Sequence, residues 1–318
     1  MTASRDGESD RVKCVCLTGP TACGKTELAL MLAEHLPLEI VSMDSALVYR
    51  GMDIGTAKPP ASVRAVVPHH LVDIADAADT YSAGRFVRDA SAAINDITAR
   101  GRLPLSVGGT HLYLRALRDG LASLPQADPK IRQRLDSEAA AEGWPALHSR
   151  LAEVDPDAAA RISPSDGQRI QRALEVYELT GEALSLQQRR SRAEVRPVVR
   201  TLALLPEDRV ALAERIERRF DAMVEAGFIE EVESLKARED LTSTTPAMKA
   251  VGYRQIWAYL AGQCDWHEAR ANAVTATRRL AKRQLTSLRS DSGAEYLSPA
   301  SPDLAETLLG RVRAEINE

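Results

Sequence analysis

No stretch of the sequence approaches the ~18 consecutive apolar residues that a membrane-spanning helix needs. The opening MTASRDGESDR is polar where a secretory signal would carry an apolar run. The chain is therefore expected in the cytoplasm, without membrane contact. Cysteine is scarce: Cys14, Cys16, Cys23 and Cys264 are too few for a disulfide framework and lack the paired spacing of a zinc site. Reduced thiols are predicted. Internal repeats and low-complexity segments are absent. Positive charge is not in excess either, since 41 Lys and Arg face 45 Asp and Glu for a net charge of −4, so the chain as a whole carries no polyanion-binding signature. That average hides a local gap. From Arg270 to Ser290 there is no acidic residue, while Arg270, Arg278, Arg279, Lys282, Arg283 and Arg289 supply six positive charges.

What is present describes an ordinary globular protein of more than one typical domain, with 318 residues, 44% hydrophobic and 27% charged. VKCVCLT reads as a strand, a glycine-bearing loop follows, and KTELALMLAEHL has helical periodicity. LEIVSMD is a second strand ending at Asp44, and HLVDI, residues 70–74, is a third. YSAGRFVRDASAAINDITARG reads as a helix closed by Gly101, and LPLSV is a buried strand running into Gly-Gly-Thr. This alternation predicts an α/β fold with a mostly parallel sheet flanked by helices. After Gly120 the texture becomes helical without convincing strands, so an all-helical insertion is expected over 121–197. VVRTLALL, residues 198–205, returns to the sheet and is followed by helices over about 208–236, 245–260 and 266–290. The core is thus predicted over 12–120 and 198–298. Residues 1–11 are expected to form a disordered tail and 299–318 a weak helix.

GPTACGKT, Gly19 to Thr26, has the spacing G-x-x-x-x-G-K-[ST] between a strand and a helix. The glycines let the backbone curl so that its N–H groups form an anion nest, the helix N-terminus adds a favourable dipole, Lys25 neutralises charge, and Thr26 can hold Mg²⁺. This chemistry selects a diphosphate rather than a base. Most such loops bind ATP or GTP, and a standard kinase or ATPase would end a hydrophobic strand in an acid. LPLSV ends instead in Gly-Gly-Thr, although Asp44 could serve magnesium in a small-molecule kinase. The pattern alone leaves kinase and non-kinase readings open.

GPTACGKT, DSALVYRGMDIGTAKP (44–59), PHHLVDI, YSAGRF, VGGTHLYL, RALEVYELTG, VGYRQIW and AKRQLTSLR together resemble, in order, the successive motifs of the bacterial tRNA dimethylallyltransferase (isopentenyltransferase) family. The resemblance spans about residues 15–289, and the 44–59 motif is far more specific than the phosphate loop. It implies a P-loop fold and transfer of a dimethylallyl group from dimethylallyl diphosphate to N6 of adenosine 37 of tRNA, beside the anticodon. Gly19, Pro20, Thr21, Ala22, Cys23, Gly24, Lys25 and Thr26 would then cradle the diphosphate of the donor, Thr26 would hold magnesium, and Arg219 in RIERRF would join the clamp. A solvated helix charge is the alternative reading of Arg219. Asp44 is the candidate base for the adenine amine, with Lys25 and Thr110 as catalytic partners.

The same resemblance implies contacts to the tRNA anticodon stem-loop from Asp44, Ser45, Ala46 and Leu47, and from Thr110 and Arg132. Further contacts would come from Gln168, Arg169, Ile170, Gln171 and Arg172, and from Lys249, Ala250, Val251, Gly252, Tyr253 and Arg254. Lys282, Arg283, Gln284, Leu285, Thr286, Ser287, Leu288 and Arg289 complete the set. The acid-free segment supports phosphate binding independently of any family likeness. A monomer is expected.

Two positions depart from the family pattern: Cys23 stands where serine is usual, and Ser287 where an aromatic residue is common. A thiol at a helix N-terminus is a candidate for alkylation that the donor would slow, and a small packed residue is the plainer reading. His69 and His70, adjacent on a strand, point to opposite sides and read as packing or hydrogen-bonding groups rather than metal ligands. Cys14 and Cys16 share one strand face and read as core, and Trp144, Trp257 and Trp266 as packing anchors on helices. A transferase acting on free adenine nucleotides and a non-catalytic RNA-binding module are the competing functions. The first leaves the insertion and basic helix without a use; the second leaves a carboxylate beside a diphosphate nest unexplained.

Overall fold

The computed structural model describes residues 13–122, 124–190 and 197–317. The chain divides into two compact units, with cuts after residues 118 and 195. In the first unit the order is β1 (Lys13–Thr18), α1 (Lys25–His35), β2 (Leu38–Ser42), α2 (Ala61–Val66), β3 (His69–His70), α3 (Ala83–Ala99), β4 (Leu103–Gly108) and α4 (His111–Asp119). The second unit holds α5 (Pro129–Glu142), α6 (Trp144–Val154), α7 (Pro156–Ala159), α8 (Gly167–Thr180) and α9 (Leu184–Arg190). The first unit then resumes with β5 (Val198–Leu204), α10 (Arg209–Glu225), α11 (Phe228–Lys236), α12 (Tyr253–Leu260), α13 (Trp266–Arg289), β6 (Ala294–Leu297) and α14 (Leu304–Asn317).

The six strands form one parallel sheet in the order β3-β2-β4-β1-β5-β6. Alternation in β1 divides its side chains between two apolar layers. Cys14 and Cys16 enter one layer with Phe86 of α3, Val232 of α11 and Ile256 of α12; Val15 and Leu17 enter the other with Leu32 of α1 and Leu308 of α14. Helices therefore cover both faces, as a parallel sheet requires. β1, β2 and β4 all deliver their carboxyl ends to one edge, and the loops that follow them, at Gly19, Asp44 and Gly109, build the site there.

Five expectations change in detail. The strand predicted over 70–74 is only His69–His70, because Leu71 (φ 61°) and Asp73 (φ 58°) adopt left-handed backbone that ends pairing. The helix expected over 208–236 breaks at Gly227 (φ 100°), and the one over 245–260 at Gly252 (φ 92°), leaving a 3-10 turn at Ala247–Lys249 before α12. β6 and α2 were not legible as elements. The weakly helical tail is a 14-residue helix whose Leu304, Leu308 and Val312 are buried. Residues 1–11, expected to be a tail, lie outside the described residues. The second unit has its own core of Leu135, Leu151, Ile170, Leu174 and Val176. All four cysteines are free thiols.

Candidate active site

The phosphate loop takes its shape from local backbone rules. Ala22 (φ 61°) and Gly24 (φ 92°) are both left-handed, which turns successive N–H groups toward one concavity at the start of α1. Gly19 has no room for a side chain: a Cβ there would lie 2.8 Å from Cys23 Sγ and 3.0 Å from the Leu204 carbonyl oxygen. Lys25 folds back so that Nζ donates to the carbonyl oxygens of Gly19 (3.1 Å) and Pro20 (2.6 Å) and lies 3.8 Å from Cys23 Sγ. Cys23 is buried, its sulfur packed below Gly19, so the thiol fills space within the loop.

The facing wall comes from β2 and β4. Their exits touch: a Cβ on Gly108 would sit 2.0 Å from the Met43 carbonyl oxygen, so the first glycine of the Gly-Gly-Thr turn is sterically required. Beyond this contact Asp44 Oδ1 accepts the Ala46 N–H (2.8 Å), and the Ser45 N–H donates to Thr110 Oγ1 (3.2 Å). These bonds fix the Asp44 and Thr110 side chains and leave Asp44 Oδ2 without a hydrogen-bond donor among the described residues. Arg219, on α10, makes no hydrogen bond or ion pair among the described residues; burial pulls its guanidinium below the usual arginine range, against the fields of Asp44, Glu27 and Cys23. A partly buried cation that feels Asp44 and Glu27 but is ion-paired with neither is well placed to receive an anionic ligand.

Thr21, Ala22, Lys25, Thr26, Asp44, Ser45, Ala46, Leu47, Thr110 and Arg219 line one cavity of about 600 Å³. Its other walls mix an apolar part, with Ile40, Val72, Val107, Phe220, Met223 and Phe228, and a polar part that includes Ser42, Thr56, Lys249, Arg283 and Gln284. A smaller cavity, bordered by Asp53, Lys58 and Ala226, shares Ala57, Arg219 and Met223 with it. The site thus joins an anion nest, a carboxylate, a lone guanidinium and a greasy pouch.

Two residues outside the expected set hold this arrangement. Glu231, in the first turn of α11, accepts N–H groups from Asp53 (2.8 Å), Ile54 (2.7 Å) and Gly55 (3.1 Å), and the Tyr253 hydroxyl (2.5 Å). Lys58, with its side chain 2% exposed, donates to the Tyr49 carbonyl oxygen (2.7 Å) and to Asp53 and Asp73 (2.5 Å each). Together they pin the loop that follows Asp44. Lys58 stands inside the specific 44–59 motif, whereas Glu231 has no local signal, because its partners lie 176–178 residues away.

The expected RNA contacts separate into exposed and enclosed groups. Lys249, Ala250, Val251, Gly252, Arg283 and Ser287 line the cavity, and Arg254, Lys282, Thr286 and Arg289 are exposed outside it. Tyr253, Leu285 and Leu288 are buried, so their side chains belong to the core rather than to an RNA surface. Gln284 is also redirected: both ends of its amide are bonded within the protein. Of the six cations in the acid-free segment, Arg270 pairs with Glu217 (3.1 Å) and Asp221 (2.7 Å), and Arg278 with Glu217 (3.0 Å). The acids come from α10, across the helix pair, which a one-dimensional reading cannot register. Arg279, Lys282, Arg283 and Arg289 make no such pair among the described residues.

In the second unit, Gln168 and Arg169 are exposed and Ile170 is buried. Arg132 and Arg172 converge on the buried Glu175 at 2.8 and 2.6 Å, and Gln171 bonds Asp136 and the Arg132 carbonyl oxygen. These three polar side chains hold the helical unit together. His70 Nε2 lies 2.7 Å from Glu39 Oε2 and His69 Nδ1 bonds the Val67 carbonyl oxygen, in keeping with hydrogen-bonding roles. Trp257 is buried, while Trp144 and Trp266 are partly buried against cores.

Residues 47–291 match the family model described as IPP transferase. A protein named tRNA dimethylallyltransferase from Thioalkalivibrio sulfidiphilus is 57% identical over 303 residues, covering 95% of this chain and 94% of its own. One of the same name from Burkholderia thailandensis is 58% identical over 278 residues, 86% of each chain. Among solved structures, the tRNA isopentenylpyrophosphate transferase of Bacillus halodurans superposes with a TM-score of 0.71 at 36% identity, covering 96% of this chain and 97% of that one. A eukaryotic dimethylallyltransferase acting on tRNA superposes with a TM-score of 0.76 at 27% identity, over 95% of this chain and 77% of that one.

Proposed function

The chain belongs to the IPP transferase family and is a tRNA prenyl transferase; from this premise we propose that it moves the dimethylallyl group of dimethylallyl diphosphate to N6 of adenosine 37 in the anticodon loop, releasing diphosphate. The observation that carries the assignment of roles is the free Oδ2 of Asp44 in the same cavity as the phosphate-loop nest and the unpaired Arg219. The C1–O bond of the donor breaks and a C1–N6 bond forms. The electron pair of the broken bond leaves with diphosphate, and a proton of the amine passes to the Asp44 carboxylate. Adenine N6 is a weak nucleophile because its lone pair is delocalised, so a carboxylate accepting its N–H hydrogen strengthens it as attack proceeds.

Charge gathering on the diphosphate is met by loop N–H groups, by Lys25 released from the Gly19 and Pro20 carbonyls, and by Arg219. Thr26 faces the cavity with an exposed hydroxyl, and magnesium characteristically combines one or two protein oxygens with water and phosphate. These residues therefore fit Mg²⁺, which would neutralise the donor and its leaving group. Ile40, Val72 and Phe220 offer an apolar lining for the isoprenoid. The adenosine must be extruded to reach Asp44, which favours single-stranded loop RNA. Thr110, held by Ser45, borders the base. A tRNA substrate suits the cytoplasm. No described helix is long and apolar enough to cross a membrane.

The test is incubation with labelled dimethylallyl diphosphate and either unmodified tRNA or AMP. Label is expected in the tRNA, at the adenosine beside the anticodon. Label in AMP alone would overturn the reading.

A further inference from the structure

Gln284 stands toward the C-terminal end of α13, in a stripe with Thr277, Leu280 and Ser287 that faces the cavity. Its Oε1 accepts the N–H of Thr21 in the phosphate loop at 2.9 Å, and its Nε2 donates to the carbonyl oxygen of Gly109 at 2.9 Å. The approach is close enough that a Cβ on Gly109 would lie 2.4 Å from Nε2 and 3.1 Å from the Gly19 carbonyl oxygen. One side chain therefore ties together the diphosphate nest, the turn that carries Thr110, and the basic helix. The two bonds have opposite polarity, so the position requires an acceptor and a donor on one planar group.

The same helix is electrostatically unbalanced. Arg279 has Lys282 three residues on and Arg283 four residues on, none with an ion pair among the described residues, and like charges at these spacings repel. Toward the N-terminus α13 is clamped to α10 by Arg270 and Arg278. The stretch that carries Gln284 has no such pair among the described residues and is held to α10 by Ala281 and Leu285 packed on Leu212 and Ile216. RNA phosphates on Arg279, Lys282 and Arg283 would relieve the repulsion and stiffen that stretch, narrowing the positions open to Gln284 and, through Thr21, to the loop.

We propose that Gln284 is a positioning residue that couples RNA occupancy of α13 to diphosphate affinity in the phosphate loop. The inference rests on the RNA substrate proposed above. Coupling of this kind is reciprocal: diphosphate tightens RNA by the factor with which RNA tightens diphosphate.

The experiment measures the Kd of inorganic diphosphate in magnesium buffer, with and without a saturating unmodified anticodon stem-loop, for the wild type, Gln284→Met and Gln284→Glu. Stem-loop affinity is measured separately for each. In the wild type, RNA is expected to tighten diphosphate roughly fivefold or more. Gln284→Met keeps the length but neither bond; its factor falls to about one, with stem-loop affinity within about twofold of the wild type. Gln284→Glu loses coupling at pH 8, where its carboxylate faces the Gly109 carbonyl oxygen, and regains it as pH falls and the protonated acid recovers a donor. A loss of fold alone would lower Tm without recovery at low pH. An unchanged coupling factor in Gln284→Met, or a pH-independent Gln284→Glu, overturns the proposal. Failure of the wild type to bind the stem-loop would instead remove the RNA reading, and is visible as such.

Discussion

Asp44 owes its readiness to an asymmetry: one carboxylate oxygen is engaged by the Ala46 amide and the other faces the cavity unbonded. Replacing it by asparagine preserves shape and removes the basic acceptor, so Asp44→Asn is expected to lower kcat by about a hundredfold to ten-thousandfold while RNA affinity holds. Single-turnover kinetics beside filter binding checks this; near-normal turnover would take the base role from Asp44. Thiols give a second residue-scale expectation. Burial pushes the Cys14 thiol up to about 11 and Cys16 well above its ordinary range, and Cys23 is enclosed by its own loop, whereas Cys264 is partly exposed. Only Cys264 should take up iodoacetamide rapidly at pH 8, read by peptide mass spectrometry, since reaction needs an accessible thiolate. Rapid native labelling of Cys14 would contradict the packing. At this scale, legibility followed contiguity: the phosphate loop, Asp44 and Thr110 stand in unbroken motifs. Glu231 and the inward use of Gln284 depend on partners far along the chain and left no local trace.

Among elements, α13 illustrates why charge in a sequence is not charge at a surface. Arg283 is exposed without a counter-ion among the described residues, while Arg270 is committed to two acids of α10. Arg283→Ala should weaken RNA binding and make the salt dependence of log Kd shallower by about one unit of slope. Arg270→Ala should leave that slope alone and lower stability by about 1 kcal/mol, a modest figure because the pair is partly exposed. Titration of binding against salt for both variants separates them, and equal slopes would show that neither touches phosphate. The loop after Asp44 depends on α11 in the same way. Glu231→Ala leaves three amides and a tyrosine hydroxyl without their acceptor, so a loss of about 3 kcal/mol is expected, together with reduced turnover as the loop loosens. Urea denaturation measures the first; an unaltered midpoint would discount the latch. Strands and long helices could be read from periodicity, but Gly227 and Gly252 break helices whose apolar spacing continues across them, and β6 is a four-residue edge strand with little pattern to detect.

The whole molecule is built as two units with separate cores, and the helical one carries a buried acid at its centre. Burial raises the Glu175 carboxyl, yet Arg132, Arg172 and the Asp128 amide outweigh it and leave the group below its ordinary value of 4.5. A lowered folded pKa stabilises fully above the unfolded value and is lost as pH falls through the folded one. Hydrogen-exchange protection around Leu174 and Val176 should therefore decline on acidification below about pH 4.5, and Glu175→Gln should weaken it at neutral pH and flatten the acid limb. The overall α/β plan, with its helical excursion, was readable because it rests on repeated short-range patterns, whereas the partners that close it are long-range. Docking of α14 on α1 is one such closure: Leu304, Leu308 and Val312 share an apolar layer with Ala29 and Leu32, one turn beyond Lys25. On a translating ribosome the loop that begins α1 emerges early, while its buttress is made almost three hundred residues later. A nascent polypeptide halted before Leu304 would carry the complete phosphate loop on a helix packed to the sheet alone, and is expected to hold the isoprenoid donor more weakly than the chain that includes α14.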